Sequence, residues 1–312
     1  MERNEALEQS ITSAKKYVEE AQSASVTSTY PIQSVQWAGK STYCSELVLA
    51  TNEEFGRMLI TDKEMQSTQS DEAIYHEHLV QPAIIAYRAK YGNSKALRVL
   101  VLGAGEGATI REVVRHENIE VCWWSDIDPD LVNLCEEHLQ YVPKEGKYYE
   151  KVYNTPDLVK RMYEDANELL KDRSQEPWDI IISDLPDPVL GDTSSLYGTV
   201  FWKNIFEITA DKCIISTHSG PIGPSEGMAT QAFLSGQMTG AGFKKPAVSK
   251  VAIPSFQVRV LSLIYLRRML AVGCVVVQYS MMGYPLSCFS LSLPRPLTIT
   301  TCIYLLPQPR RK

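Results

Sequence analysis

Two carboxylates stand three positions apart in the segment Asp184-Leu185-Pro186-Asp187, directly after the apolar run WDIIISD. A short apolar run rich in β-branched residues predicts a buried strand. We therefore expect both acids just beyond its carboxyl end, where open α/β sheets bind ligands. Such a pair can bind a protonated amine while one carboxylate removes a proton from the nucleophilic nitrogen. An Asp-Pro turn without chemical function is the alternative.

A glycine-rich turn, Gly103-Ala104-Gly105-Glu106-Gly107, follows the predicted strand LRVLVLG. Glycines in such a turn let the backbone approach a ligand beside the amino end of a helix. The next predicted strand ends at Asp126, about twenty residues on, where an acidic side chain can accept the ribose hydroxyls of a nucleoside. Together these features predict an adenosine-type ligand. NAD fits both equally, so a dehydrogenase remains an alternative.

The elements that must position these residues alternate between strand and helix patterns. A βαβ unit with parallel strands is predicted by four successive segments, LRVLVLG, ATIREVVRHE, IEVCWWSDID and PDLVNLCEEHL. Two later apolar runs, WDIIISD and CIISTHS, predict further strands of the same sheet. We predict an α/β, Rossmann-like doubly wound sheet. Upstream, SELVLA and RMLIT have the pattern of a β-hairpin, and Ser70-Asp71-Glu72 predicts the start of a helix that runs to about Lys90 and stops at Gly92.

Charge is distributed unevenly along the chain. Residues 1–226 hold 21 Lys and Arg against 37 Asp and Glu, a net charge of −16, whereas ten Lys and Arg and no acid follow Glu226. An acidic body disfavours a nucleic-acid partner and suits cationic substrates, although a solvated acidic surface gives the same composition. The cysteines form no CxxC pair, which predicts neither a zinc site nor a disulfide scaffold. No apolar leader segment is present in the first 30 residues, so we expect a cytoplasmic protein.

Composition also suggests domain limits. We predict a polar leader over 1–29, a β-hairpin module over 30–80, a catalytic domain over 81–259 and an atypical tail over 260–312. Because the tail lacks acid-containing amphipathic periodicity, we hypothesise that it is disordered or misannotated. Its uncharged stretch 269–294 is long enough to cross a bilayer, but polar residues, glycine and proline interrupt it, so we predict no membrane insertion.

Five motifs in order resemble those of the polyamine aminopropyltransferases, the spermidine and spermine synthases. They are GAGEGATIREVVRHE, DIDPDLVNLCEEHL, EDANELL, SDLPDPVLGDTSSLYGTVFW and STHSGPIGP, and with SDEAIYHEHLVQPAI the similarity covers about residues 40–256. Glu106, LPDP and SGPIGP are most similar to thermospermine synthases. The resemblance implies a class I methyltransferase-type fold and a homodimer or higher oligomer. It also implies transfer of an aminopropyl group from decarboxylated S-adenosylmethionine, a co-substrate, to spermidine or putrescine, which releases methylthioadenosine without a metal or other cofactor.

The resemblance also implies roles for residues at matching positions. Asp184 would be the general base. The amine side would be lined by Tyr75, His76 and Asp187, and Glu106 would hold the ammonium of the aminopropyl group. The nucleoside side would be formed by Gly103, Gly105, Asp126, Asp165 and Ala166. His76 and His78 are two positions apart on a predicted helix and diverge, so they do not form an HExxH-like metal site.

Several positions depart from the family pattern. Cys44 stands where glutamine is usual, and Phe256 stands where a substrate-binding tyrosine is usual. VRVLSLIYLRR replaces the final strand that contains Trp and Gly, so we predict loss of that strand and an exposed sheet edge. These departures keep a catalytically inactive, nucleoside-binding paralogue as an alternative. An S-adenosylmethionine-dependent methyltransferase is another, although it leaves the DLPDP cluster unexplained.

Overall fold

The computed structural model of the protein describes residues 1–20, 27–187, 194–220, 226–244, 247–256, 261–266, 291–292 and 298–299. Within them, strands β1 to β16 are Glu2–Arg3, Lys16–Glu20, Thr27–Pro31, Ser34–Lys40, Leu47–Asn52, Gly56–Thr61, Glu64–Thr68, Leu97–Gly103, Ile119–Asp126, Val159–Tyr163, Trp178–Asp184, Thr209–His218, Ala247–Lys250, Leu261–Leu266, Leu291–Ser292 and Thr298–Ile299. Helices α1 to α9 are Glu5–Ala14, Glu72–Tyr91, Ala108–Val114, Pro129–Leu134, Tyr149–Tyr153, Ala166–Leu169, Ser194–Tyr197, Thr199–Ile208 and Glu226–Gly240. A π-helical turn, Cys135–Leu139, continues α4, and a 3-10 turn spans Pro254–Phe256.

Seven strands form the central sheet in the order β10-β9-β8-β11-β12-β14-β13. The first five are parallel, whereas β14 runs antiparallel to both β12 and β13. This is the predicted Rossmann-like sheet of the class I methyltransferase type. From β8 the chain continues to β9 on one side, and β11 lies on the other. The carboxyl ends of β8 and β11 therefore meet at a topological switch point, where such sheets bind ligands.

Apolar side chains alternate between the two faces of this sheet. On β8, Val99 and Val101 are buried against residues of α2 and α3, whereas Leu100 and Leu102 are buried against residues of α8 and α9. The period of two directs successive side chains of one strand into opposite layers. Helices therefore cover both faces, as parallel strands require.

The N-terminal module is a five-stranded antiparallel sheet in the order β1-β4-β5-β6-β7. The predicted hairpin is confirmed, since β5 pairs with β6 in antiparallel register. On β5, Leu47 and Leu49 pack towards the helical segment after β9, whereas Val48 and Ala50 pack on the opposite face, so both faces are buried. The segment predicted as a polar leader contributes β1, α1 and β2. The domain limits remain predictions.

The predicted loss of the final strand is wrong. Strand β14, six residues of the segment assigned to an atypical tail, pairs with β12 on one side and β13 on the other. Its sequence, LSLIYL, is β-prone, and ladder pairing is made by backbone groups, so Trp and Gly are not needed for the strand to form. Most of the tail, including 269–290, lies outside the described residues. In the part of the chain that the structure describes, no helix is long and apolar enough to cross a membrane.

The turn after β8 is constrained by the neighbouring strand. Gly103 is paired with Asp184 in the register of β8 and β11 and has a φ of 81°. A Cβ atom at Gly103 would lie 2.1 Å from the carbonyl oxygen of Asp184. Only glycine combines the left-handed backbone with this close approach. The glycine-rich turn that begins at Gly103 and the acidic segment that begins at Asp184 are therefore in direct backbone contact.

We expect Gly103→Ala to destabilise the protein more than Gly92→Ala. Both glycines have positive φ, but a Cβ at Gly92 would meet no atom within 4 Å. Gly92→Ala should cost about 2 kcal/mol for backbone strain alone, and Gly103→Ala roughly 2 kcal/mol more, because the strand backbone must also move. Urea unfolding of both variants measures the difference, and equal losses would contradict this account of the turn.

Candidate functional site

Asp184, at the end of β11, is held by two hydroxyl donors from different helices. Tyr75 Oη on α2 donates to Asp184 Oδ1 over 2.6 Å, and Thr109 Oγ1 on α3 donates to Asp184 Oδ2 over 2.6 Å. Burial, followed by the charge of Asp184, raises the pKa of Tyr75 well above its usual value, so Tyr75 remains a donor. A carboxylate has further lone pairs, which leaves Asp184 able to accept another proton or N–H group. Thr109 was not among the predicted site residues.

A buried chain of charges lies beside Tyr75. His76 Nε2 is 3.1 Å from Glu106 Oε2, and His76 Nδ1 is 2.9 Å from Glu72 Oε2 and 2.7 Å from the Glu72 carbonyl oxygen. Arg111 closes the chain with two hydrogen bonds to the Glu72 carboxylate, at 2.8 and 2.9 Å. Two carboxylates thus alternate with two cations, which is how buried charges are usually compensated.

The hydrogen bonds determine the charge of His76. Each ring nitrogen faces an ionisable carboxylate, and ionised carboxylates only accept hydrogen bonds, so both nitrogens carry hydrogen. Burial by itself would lower the pKa of His76, but its hydrogen bonds with Glu106 and Glu72 outweigh burial and raise the pKa to about 10. Burial likewise favours neutral Glu72, yet His76 and Arg111 hold the pKa of that carboxyl below its usual value. His76 is therefore an imidazolium at neutral pH.

The N-terminal module reaches the site through β7. Ser67 Oγ donates a hydrogen bond to Glu106 Oε1 and lies 3.1 Å from the hydroxyl of Tyr141. Both oxygens of Glu106 are thus engaged, one by the module and one by α2. The sequence did not indicate four residues of this network: Ser67, Tyr141, Glu72 and Arg111. Glu72 and Arg111 lie inside the quoted motifs, but their pairing spans 39 positions of the chain and leaves no local signal.

Asp126 lies beside the glycine turn, as predicted. Its side chain is buried, its Oδ1 accepts from the backbone N–H of Asp128 over 2.9 Å, and its Oδ2 lies 3.2 Å from an ideal Cβ position at Gly105. Burial, and then the charges of Asp128, Asp184 and Glu106, raise the pKa of Asp126 to about 6 despite the Asp128 N–H. The carboxylate is thus ionised at neutral pH and becomes protonated in mild acid.

Asp165 and Ala166 follow the next strand of the sheet. The last residue of β10, Tyr163, is paired with Asp126, so Asp165 lies at the same sheet edge. The Asp165 carboxylate accepts a hydrogen bond from the Asn167 N–H over 2.8 Å and begins α6, where Ala166 is the first residue and is buried. The structure therefore brings Asp165 to the predicted edge, but holds its side chain in a local cap.

Asp187 is placed next to a histidine that the sequence analysis did not single out. His218 Nδ1, at the end of β12, is 3.2 Å from Asp187 Oδ1, and His218 Nε2 donates to the Leu185 carbonyl oxygen. The rings of His218 and Tyr75 lie 6.3 Å apart. Tyr75 thus binds Asp184 directly, and its ring lies 5.0 Å from the ring of His76, which contacts Glu106.

Cys44 and Phe256 depart from the family pattern: Cys44 lies between β4 and β5, and Phe256 lies in the 3-10 turn after β13. Burial, and then the charges of Asp62 and Asp128, raise the pKa of Cys44 to about 11, so its thiol is protonated at neutral pH. The backbone of Phe256 ends a 3-10 turn in which Ser255 donates two hydrogen bonds to the carboxylate of Asp71, the residue before α2. The side chain of Phe256 lies outside the described residues.

The described residues contain no group of three or more His, Cys, Asp and Glu side chains placed to hold a metal ion. The histidines next to the site are instead paired with carboxylates or a carbonyl oxygen. A Rossmann-like sheet with a glycine turn and an acidic cluster at its switch point is an arrangement typical of nucleotide-binding α/β proteins.

Comparison with known proteins identifies the family. Residues 72–272 match the spermine/spermidine synthase domain, and the chain belongs to that family. Polyamine aminopropyltransferase 2 of Caldanaerobacter subterraneus is 33% identical over 186 residues, covering 60% of this chain and 57% of that protein. Thermospermine synthase ACAULIS5 of Arabidopsis thaliana is 35% identical over 196 residues, covering 62% and 53%. The chain thus matches little more than half the length of these relatives.

Solved structures support the fold. A spermidine synthase in complex with the transition-state analogue AdoDATO superposes with a TM-score of 0.69 at 18% identity, covering 81% of this chain and 80% of that one. The spermidine synthase of Thermotoga maritima gives a TM-score of 0.67, also at 18% identity. The class I methyltransferase-type fold expected from the resemblance is confirmed.

The imidazolium of His76 predicts a pH-dependent contribution to stability. Its folded-state pKa, about 10, exceeds the ordinary value of 6.5, so the stabilisation is full below pH 6.5 and is lost as pH rises through 10. His76→Gln should lower the free energy of unfolding by roughly 3 kcal/mol at pH 6.5, because two buried carboxylates lose their shared cation. The gap from wild type should shrink towards pH 10.

Urea unfolding at both pH values measures this gap. His138→Gln is the control, because His138 is partly exposed and lies 3.8 Å from Glu137, away from the site. A gap for His76→Gln that stays constant between the two pH values would contradict the assignment of an imidazolium.

Proposed function

We propose that the protein is a polyamine aminopropyltransferase. It transfers an aminopropyl group from decarboxylated S-adenosylmethionine to spermidine, with thermospermine or spermine and methylthioadenosine as products, and uses no metal or other cofactor. One observation carries the proposal: Asp184 binds the hydroxyl of Tyr75, while Glu106 and Asp187 contact two histidine rings that lie 5.0 and 6.3 Å from the Tyr75 ring, beside the switch point. This is an environment for a polycation next to a nucleoside.

The proposed reaction follows from the charges of its participants. An acceptor amine is protonated in water, so it must lose a proton before its lone pair can attack the propyl carbon. Asp184 accepts that proton and passes it to solvent, while the C–N bond forms and the C–S bond breaks, with its electron pair left on sulfur. The sulfonium is already a good leaving group, so alignment and deprotonation of the amine are the main tasks.

Tyr75 and Thr109 are proposed to orient the base. Their two hydrogen bonds, each 2.6 Å, fix the plane of the Asp184 carboxylate and leave its remaining lone pairs for the amine. Asp187 is proposed to bind a second ammonium group of the acceptor. Glu106, which His76 and Ser67 hold in place, is proposed to bind the ammonium group of the aminopropyl donor.

The nucleoside of the donor is proposed to lie along the carboxyl ends of β8, β9 and β10. Gly103 and Gly105 leave room for its approach, and the Asp126 carboxylate accepts its ribose hydroxyls. Asp165 and Ala166 are proposed to contact adenine. The raised pKa of Asp126, about 6, fits this role, since the carboxylate is ionised at neutral pH and little hydrogen-bonded before the ligand arrives.

Spermidine as the preferred acceptor is the finer part of the proposal. Its support is the match to a plant thermospermine synthase together with Glu106 and the motifs LPDP and SGPIGP. Putrescine is a further acceptor to be tested. We also propose a cytoplasmic homo-oligomer, on the basis of the family resemblance.

We expect purified protein to transfer the aminopropyl group, and Asp184→Asn to lower kcat by about 10²- to 10⁴-fold, because the variant cannot accept the amine proton. The KM for spermidine should change much less. Asp157→Asn is the matched control, since Asp157 is exposed in a turn between α5 and β10. Mass spectrometry of the polyamine product identifies the acceptor, and circular dichroism checks that each variant is folded.

Three results would contradict the proposal in different ways. Equal kcat for Asp184→Asn and Asp157→Asn would exclude Asp184 as the base. Methyl transfer from S-adenosylmethionine would favour a methyltransferase instead. Tight methylthioadenosine binding without turnover of any common polyamine would indicate an inactive paralogue.

A further inference from the structure

Tyr141 is a buried residue that the proposed chemistry does not use, yet it contacts the charged network of the site at two points. Its backbone carbonyl accepts a hydrogen bond from Arg111 Nη1 over 2.7 Å, and its hydroxyl lies 3.1 Å from Ser67 Oγ. Arg111 and Ser67 are the two ends of the chain of contacts that passes through Glu106. Tyr141 therefore closes this chain into a ring, which joins β7, α2, α3 and the segment after the π-helical turn.

The hydrogen bonds on this side of the ring run in one direction. The single proton of the Ser67 hydroxyl is donated to Glu106 Oε1, so Tyr141 must be the donor in its contact with Ser67. The carbonyl oxygen of Arg57, 3.4 Å from Tyr141 Oη, is a more distant acceptor for the same proton. Burial, followed by the charge of Glu106, raises the pKa of Tyr141 well above its usual value, so the hydroxyl keeps its proton. Tyr141 thus donates to Ser67, and Ser67 donates to the carboxylate.

These contacts determine how the Glu106 carboxylate is oriented. The terminal torsion of a glutamate is broad, so a carboxylate held at one oxygen can rotate. Here Oε1 is bound by Ser67 and Oε2 lies 3.1 Å from His76 Nε2, and the two contacts together fix the carboxylate plane. The Glu106 side chain is 13% exposed, and each oxygen has a further lone pair for another donor. An ammonium group therefore meets a carboxylate that does not have to be ordered on binding.

We propose that Tyr141 is a positioning residue that acts through Ser67 on Glu106, and that this relay makes the site bind the aminopropyl donor more tightly than methylthioadenosine. The inference rests on the proposed function, which takes Glu106 as the partner of the donor's ammonium group. Decarboxylated S-adenosylmethionine carries that group, whereas methylthioadenosine, which remains after aminopropyl transfer, lacks it. A relay that orders Glu106 therefore favours the substrate over the product and promotes the exchange of one for the other after each turnover.

The test compares the binding of these two ligands to wild type, Tyr141→Phe, Ser67→Ala and the double variant. Calorimetry without an acceptor measures each Kd, because no transfer then occurs. Ser67→Ala should raise the Kd for the donor about tenfold and Tyr141→Phe roughly threefold, whereas the Kd for methylthioadenosine should change less than about twofold. Once Ser67 is alanine, Tyr141→Phe should have no further effect on donor binding, because Tyr141 has lost the residue through which it acts. The sulfonium charge of the donor cancels in each ratio of variant to wild type.

Tyr87→Phe is the matched control. Tyr87 is also buried, and its hydroxyl donates to a carboxylate, that of Asp179, over 3.2 Å near the opposite end of β11. This variant should leave the ratio of the two Kd values unchanged.

Three results would overturn the inference alone. They are equal weakening of both ligands by Tyr141→Phe or Ser67→Ala, which indicates a purely structural role, unchanged donor binding in Tyr141→Phe, and additive effects in the double variant. If Ser67→Ala folds poorly, Tyr141→Phe keeps the serine, and its two Kd values still decide the question. A wild-type protein that binds methylthioadenosine but not the donor would overturn the proposed function as well.

Discussion

The site depends on one constraint in the backbone, the contact between Gly103 and Asp184 where strands β8 and β11 pair. Because the chain leaves β8 towards β9 on one side while β11 lies on the other, the two strand ends open a crevice between their loops. Glycine at 103 lets the two main chains approach so closely that a single Cβ would overlap the Asp184 carbonyl. The glycine turn and the acidic loop therefore cannot move independently, and a nucleoside and an amine bound to them would be held side by side.

Charge compensation is the second constraint on this crevice. Neighbouring carboxylates repel one another, and burial increases that cost. The protein supplies its own cations for two of them: Arg111 and His76 compensate Glu72 and Glu106. Since Ser67 of the N-terminal module also binds Glu106, the module and the central sheet share one buried network. The same charge pairs and hydrogen bonds thus stabilise the folded protein and hold the carboxylates of the site in place.

Sequence reasoning succeeded where local pattern determines structure. The apolar run LRVLVLG and the next run, which ends at Asp126, predicted neighbouring parallel strands, and the structure places the glycine turn and Asp126 together at their carboxyl ends. It failed for contacts between distant positions, such as His218 with Asp187, and Thr109 with Asp184 across 75 positions. It also treated strand β14 as lost, because an unfamiliar motif was taken for an absent strand, although backbone pairing needs only a β-prone segment. The family motifs indicated residue types, but not which cation compensates which carboxylate.

The central claim is that one crevice at the ends of β8 and β11 binds both a nucleoside and a polyamine. A crystal structure with methylthioadenosine and spermidine tests it most directly. The account predicts ribose hydroxyls on Asp126, a spermidine nitrogen within hydrogen-bond distance of Asp184, and a second nitrogen on Asp187. A nucleoside bound elsewhere, or spermidine without contact to either aspartate, would contradict it.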